Sequence, residues 1–249
     1  MTVTFESRDA IAHISIQRPE RKNAVDRNTA TRLLEAYRRF EADESLCALV
    51  VSGTSDAFCA GADLKALDND VDSPAGPMGF TRLHSKKPTL AAIEGWCVAG
   101  GLEIAIWCDL RIAAESAKLG CLERRFGVPL IDGGTQRLPR IVGLGRALDL
   151  VLTGRVLSAT EAERIGLVNR VVPDGNALAA AHELAREIVS YPYSCLLADR
   201  ESLYDSLSLG LPAGLALEAE RGKGVLTEAA KGAREFADGA GRHGKPPAR

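Results

Sequence analysis

The sequence predicts an α/β fold. Short apolar runs at residues 3–5, 11–17, 47–52, 89–95 and 109–114 read as strands, and segments with apolar residues at helical spacing lie between them. Strand–helix–strand alternation of this kind gives sheets covered by helices. From about Leu138 onward helical patterns take over, so a helical region follows the α/β part. The chain has 249 residues, enough for one large domain with ample core.

In "IAHISIQ" at 11–17, apolar residues alternate as a half-buried strand requires. "RPERKNAVD" is a charged loop containing Pro19. Ala30, Leu33, Leu34, Tyr37 and Phe40 then recur at helical spacing, which predicts an amphipathic helix over 28–43. "CALVVS" at 47–52 is a buried strand. Residues 66–85 are polar and carry Gly and Pro, a loop with a short helix. "TLAAIEG" at 89–95 is a strand, 100–108 a short helix and 109–114 another strand. The strands are short and unevenly spaced, which fits neither a doubly wound sheet nor eight even βα units. Helices follow at 145–152, 160–165, 177–190, 194–209 and 213–237, interrupted by one strand at 167–172. The tail "DGAGRHGKPPAR" is Gly/Pro-rich and expected to fray. The division expected is a core at 1–190 and a C-terminal helical region at 191–249. Helices that cannot all bury a face on their own core point to an oligomer.

A net charge of −2 provides no field for nucleic acid or an anionic membrane surface. No apolar run approaches the roughly 20 residues that span a bilayer, and the N-terminal stretch lacks the pattern of a signal peptide. The six cysteines are scattered, with no C-x-x-C pair and no Cys/His cluster, so buried free thiols, a cytoplasmic location and no metal site are expected.

"FCAGADLK" at 58–65 and "GWCVAGGLEI" at 95–104 each place an Ala-Gly turn after an apolar run and before a helical pattern, "ADLKAL" being read as a short helix. A helix leaves its first N–H groups without intrahelical partners, and small side chains let a ligand approach the backbone. Two such turns brought together form an oxyanion hole; on spacing alone, tight turns and close packing are the better explanation of the glycines. A phosphate loop is the weakest reading, because the G-x-G-x-x-G order is missing. Glu103 lies one helical turn after Gly100, and Glu123 ends the run "KLGCLE". Alone, the first reads as a dipole-favoured carboxylate and the second as a solvated one. Together beside an oxyanion hole, they match the addition of water next to a thioester, one taking a proton and the other giving one.

The chain resembles the enoyl-CoA hydratase/isomerase (crotonase) superfamily. The match runs through "IQRPERKNAV", "FCAGADLK", "IEGWCVAGGLEIAIWCDLRIAAESAKLG", "FGVPLIDGGTQRLPRIVG" and "LTGRVLSATEAERIGLVNRVV", in family order and spacing. The resemblance implies a crotonase-like spiral of repeated ββα units with a C-terminal helical trimerisation region, forming trimers or hexamers. It implies an acyl-CoA thioester as ligand and no cofactor beyond the coenzyme A of the substrate. By motif, the N–H groups of Ala60 and Gly100 would polarise the thioester carbonyl. Arg21, Lys22, Ala24, Ala62, Asp63, Leu64, Lys65 and Gly101 would lie along the coenzyme A and substrate, with Trp96 and Asp132 at the pocket. Glu103 and Glu123 fall where hydratases of this family carry their catalytic glutamates. That favours an enoyl-CoA hydratase, with Glu123 protonating Cα and Glu103 activating water. Isomerisation of an enoyl- or dienoyl-CoA, or acyl-CoA binding without catalysis, are the alternatives.

The segment after Glu123 departs from the family. Asp132 adds a third carboxylate, in a neighbourhood where some dienoyl-CoA isomerases use an acid, and Arg124 and Arg125 replace apolar residues. An ion pair between Asp132 and one of these arginines is expected. His13, His84, His182 and His243 sit in unrelated contexts, and Cys59 reads as a packing residue rather than a nucleophile. Met78, Phe80 and Leu83 are candidates for lining the acyl channel.

Overall fold

The computed structural model describes residues 2–54 and 56–239; His243 and most of the tail expected to fray lie outside the described residues. The chain divides into two compact units, one running to Arg186 and one from Glu187 onward, whereas the sequence reading placed the division at 190.

The first unit contains two sheets. Strands β1 (Val3–Arg8), β2 (Ile11–Ile16), β3 (Ala48–Ser52), β5 (Thr89–Ile93), β7 (Leu110–Ala114) and β10 (Arg170–Val172) form a six-stranded sheet in the order β1-β2-β3-β5-β7-β10. Strands β4 (Ala57–Cys59), β6 (Trp96–Val98), β8 (Lys118–Gly120) and β9 (Leu157–Ser158) form a second sheet in the order β4-β6-β8-β9. Among the strand pairs of the described residues, β1–β2 and β8–β9 are antiparallel and the rest parallel. From β3 to β8 the chain gives one strand to the large sheet and the next to the small one. β3 precedes β4, β5 precedes β6 and β7 precedes β8, so each turn of the spiral sits beside the last. Leu49 pairs with Thr89 and Leu90 with Leu110 in the large sheet, and Cys59 with Cys97 in the small one.

Helix α1 (Arg27–Ala42) begins where the Asp26 side chain accepts the Thr29 N–H at 2.8 Å, and it buries Leu33, Ala36, Tyr37 and Phe40. Helix α2 (Gly100–Trp107) is buried nearly all round, because it lies inside the spiral. Helices α3 (Gly134–Val142), α4 (Leu144–Thr153), α5 (Ala159–Arg164) and α6 (Ala177–Ser190) follow. Residues 66–85, where a short helix was expected, form turns without a helix, and so does "ADLKAL". There the Asp63 carbonyl accepts from Ala66 and Leu67, and its carboxylate accepts the Lys65 N–H, closing a single turn. Cys59, Cys97, Cys108 and Cys121 are buried free thiols. His13 and His182, read as unrelated, meet edge to face with ring centres 5.3 Å apart.

The second unit holds α7 (Tyr193–Ser206), α8 (Leu211–Gly224) and α9 (Leu226–Ala237). The single helix expected over 213–237 is interrupted at Val225, which closes α8 and opens α9. Arg221 of α8 pairs with Glu201 and Asp205 of α7. Leu203, Leu207, Leu211, Leu215, Leu226 and Phe236 are exposed. No helix among the described residues is long and apolar enough to cross a membrane.

Candidate active site

The site is built where β4 and β6 end side by side. Gly61, at φ +93°, follows β4; Ala99, at φ +54°, follows β6 and opens α2. A non-glycine residue at Ala99's angles is strained by about 1–3 kcal/mol and survives only where its surroundings fix it. Here its N–H donates to the Gly120 carbonyl at 3.0 Å and its own carbonyl accepts from Glu103 at 3.1 Å. The two turns touch: a side chain on Gly61 would begin 2.8 Å from the Gly100 nitrogen and 2.9 Å from the Ala99 Cβ. Gly101, expected along the ligand, is instead a packing residue. It is buried against β4, and a Cβ there would stand 2.0 Å from the Cys59 carbonyl oxygen.

The Ala60 N–H donates to the Lys22 carbonyl at 3.0 Å, so it is committed to the neighbouring loop and the expectation that it serves an oxyanion is corrected. The next N–H of the right parity belongs to Ala62. Val25 bridges this segment by donating to the Gly61 carbonyl and accepting from the Asp63 N–H, both near 2.9 Å. Pairing of that kind turns the N–H of the intervening residue to the other side. The N–H groups of Ala62 and Gly100 have no protein acceptor among the described residues. Arg18 fixes the Ala62 turn from behind: its guanidinium meets Asp63 at 2.9 Å and Asp26 at 3.0 Å, and also donates to the Ala24 carbonyl. Beside Arg18, and with backbone donors on each carboxylate, Asp26 and Asp63 stay below the usual carboxylate range despite their desolvation. Asp63 is thereby a structural ion, while Arg21, Lys22, Leu64 and Lys65 are exposed around it and Lys22 pairs with Asp56.

Glu103 is buried at 3% exposure on α2. Its Oε1 accepts the Asp132 N–H at 2.9 Å and the Gly134 N–H at 2.7 Å, the latter an otherwise unpaired donor at the start of α3. Burial pushes its pKa up to about 7; the charge of Asp132, and less that of Glu123, act in the same direction and outweigh the two N–H donors. Glu123 lies in the first turn of the 3-10 segment Leu122–Phe126, is 5% exposed, and neither of its oxygens has a hydrogen-bond partner among the described residues. Its pKa is raised, again by burial first.

These shifts have a consequence for stability. Glu103 titrates near its ordinary 4.5 when unfolded and near 7 when folded, so the folded state binds its proton more tightly. Stability is fully retained below about 4.5 and falls as pH rises through about 7. Glu103→Gln keeps an acceptor for both N–H groups and removes the charge. Urea melts are expected to show this variant gaining on the order of 3 kcal/mol relative to wild type between pH 4 and pH 8.

Asp132 does not pair with Arg124 or Arg125, contrary to expectation. The 3-10 turn directs those arginines to the carbonyls of Val151 and Gly154 on the outside. Asp132 is buried, accepts from the Met78 N–H at 3.0 Å and the Thr81 hydroxyl, and has the charges of Arg82 and Arg137 nearby. Trp96 is half-buried on β6 with the Lys118 ammonium 4.9 Å from its ring centre. Met78 and Phe80, expected along the acyl channel, are buried in the hydrophobic core, and Leu83 is partly buried against it. The thiol of Cys59, desolvated and pushed up to about 12, stays protonated and is no nucleophile. Arg18, and the N–H groups of Asp132 and Gly134 that hold Glu103, were not singled out as site residues in the sequence.

The profile of the enoyl-CoA hydratase/isomerase family matches residues 6–240. A "Probable enoyl-CoA hydratase" of Rhizobium meliloti is 38% identical over 223 residues, covering 87% of this chain and 86% of that one. The crystal structure of enoyl-CoA hydratase EchA1 from Mycobacterium marinum superposes with a TM-score of 0.90 at 35% identity, covering 99% of this chain and 98% of that one. An enoyl-CoA hydratase from Mycobacterium tuberculosis H37Rv gives a TM-score of 0.90 at 34% identity, over 95% and 96% of the two chains. With its spiral of two sheets and its extended match to that profile, this chain belongs to the enoyl-CoA hydratase/isomerase family.

Proposed function

We propose that this chain is an enoyl-CoA hydratase, adding water syn across the double bond of a 2-trans-enoyl-CoA to give the 3-hydroxyacyl-CoA. The observation that carries the reading is the pair of buried carboxyls, Glu103 anchored on one oxygen and Glu123 with both oxygens unpartnered, next to two touching turns with two unpaired N–H groups. The names of the hydratase relatives support it.

The thioester oxygen accepts from the N–H groups of Ala62 and Gly100. As water adds at Cβ, electrons of the double bond move toward that oxygen, and each donor aimed at the developing enolate contributes about 3 kcal/mol. Glu103, with its carboxylate held by two N–H groups and a pKa of about 7, takes the proton from water; its O–H bond breaks as the Cβ–O bond forms. Glu123, whose desolvated carboxyl favours the neutral form, gives its proton to Cα. Two such groups titrate jointly, and proton exchange with solvent resets the pair for the next turnover.

Arg21, Lys22 and Lys65 lie at the rim as the side chains for coenzyme A, with Ala24 and Leu64 beside them. No cofactor is required, since coenzyme A arrives with the substrate, and a cytoplasmic site of action is part of the same proposal. Loss of the conjugated enoyl absorbance of crotonyl-CoA and of a long-chain 2-enoyl-CoA tests the activity. If 3-enoyl-CoA is converted instead, the isomerase alternative takes its place.

The oligomer proposed is a homotrimer or a hexamer of two trimers. It is supported by the exposed leucines of the C-terminal helices, and by Leu144, Leu148 and Leu152, which form an exposed stripe at four-residue spacing on α4. Sedimentation equilibrium should return three or six times the 26.5 kDa chain mass; a monomer at micromolar concentration would remove this part of the proposal.

A further inference from the structure

Within the polar loop at 66–85, the part at 71–82 is strapped to the segment at 131–137. Arg82 donates to the carbonyls of Val71, Ser73 and Ile131, and Arg137 to those of Thr81 and Asp132. Asp132 stands at the centre of the strap, 3% exposed, with its Oδ1 accepting from the Met78 N–H and the Thr81 hydroxyl. Gly76, at φ +99°, allows this approach, since a Cβ there would lie 3.0 Å from the same oxygen. Held in this way, Met78 places its Sδ and Cε 3.0 and 3.1 Å from where a side chain on Gly100 would begin. Through its own N–H, Asp132 also holds Glu103.

We propose that Asp132 is a positioning residue that sets substrate shape: it latches Met78 over the Gly100 turn and so excludes an acyl group carrying a substituent at C2. The inference rests on the acyl-CoA reading of the site. Its physical basis is that the thioester carbon and C2 must lie against Gly100 for the oxygen to reach the N–H pair. Met78, buried and with its main chain pinned, fills the space beside Gly100 that an added methyl would need, and a well-packed wall yields poorly to added volume. The carboxyl group is suited to the task because it accepts a backbone N–H and a hydroxyl at once; burial raises its pKa, and these donors with Arg82 and Arg137 offset only part of that.

The test measures binding of butyryl-CoA and 2-methylbutyryl-CoA by calorimetry, alongside turnover of crotonyl-CoA and 2-methylcrotonyl-CoA. Wild type is expected to favour the unbranched compound by about tenfold, the scale of one methyl group in an apolar pocket. Asp132→Ala and Met78→Ala should bring that ratio toward unity, whereas Asp132→Asn, which keeps an acceptor oxygen for Met78 and Thr81, should hold it. General loosening of the fold would weaken both ligands together and leave the ratio where it was. An unchanged ratio in either folded Asp132→Ala or Met78→Ala overturns the latch. Should Asp132→Ala fail to fold, Met78→Ala alone decides. Binding without turnover in wild type would sink the hydratase reading and still leave the ratio to judge the latch; binding of neither ligand would sink both.

Discussion

Glu103→Gln and Glu123→Gln are each expected to reduce crotonyl-CoA turnover by about 10²–10⁴-fold, the usual contribution of a positioned acid or base. Neither change removes volume. Glutamine at 103 still accepts from the N–H groups of Asp132 and Gly134, so the start of α3 stays in place and the loss falls on kcat rather than KM. Glutamine at 123 exchanges one unpartnered buried polar group for another and removes a charge that burial opposes, so it costs the reaction its proton without lowering stability. The double variant should lose little more than either single one, because the two groups act in one step. In wild type, kcat/KM should climb with pH through about 7 as Glu103 ionises. In Glu103→Gln that limb should vanish. Together with the stability gain expected of the same variant, this makes Glu103 a group whose burial opposes folding and serves the reaction.

The second large effect is expected at Gly101. Gly101→Ala drives a Cβ to 2.0 Å from the Cys59 carbonyl oxygen and 2.8 Å from the Cys59 Cβ. Main chain lies on one side and helix α2 on the other, so neither yields cheaply. Overpacking of this kind costs about 1–3 kcal/mol, and the upper end applies here. Displacement of α2 also moves the Gly100 N–H away from the Ala62 N–H, and a shift of about 1 Å at a reacting centre costs roughly 10²-fold in rate. Thermal melts and crotonyl-CoA assays on the same preparation check both losses. Gly145→Ala serves as the control: it lies within α4 with open space around its Cβ, so it should hold stability or gain about 0.5 kcal/mol. If Gly101→Ala melted with wild type and turned over normally, the close contact of β4 with α2 would not be what aligns the two turns.

How much of this was legible beforehand depended on whether the physical cause was local. Helix α1 was placed to within a residue at each end, because its apolar stripe is local information. The large sheet's strands were found for the same reason. β4, β6, β8 and β9 were not recognised as a second sheet: they are two or three residues long, too short to show a period, and exist because the spiral stacks them. The two glutamates and the two turns were visible as spacing. Which N–H points inward was not, since the choice between Ala60 and Ala62 is decided by pairing with Lys22 and Val25, some 35 to 40 residues away. The expected partner of Asp132 was wrong for a similar reason: the 3-10 turn at Leu122–Phe126 sends Arg124 and Arg125 outward, and the groups that do meet Asp132 come from a loop with no periodicity to read.

The central claim is that water from solvent is added at Cβ under the control of Glu103 and Glu123. The most direct measurement incubates the protein with crotonyl-CoA in ¹⁸O-labelled water and weighs the product by mass spectrometry. The expected result is 3-hydroxybutyryl-CoA carrying one solvent oxygen, formed rapidly by wild type and at the uncatalysed rate by the doubly substituted protein. A folded protein that binds crotonyl-CoA but forms no labelled product, or that forms it equally well without either glutamate, would contradict the account.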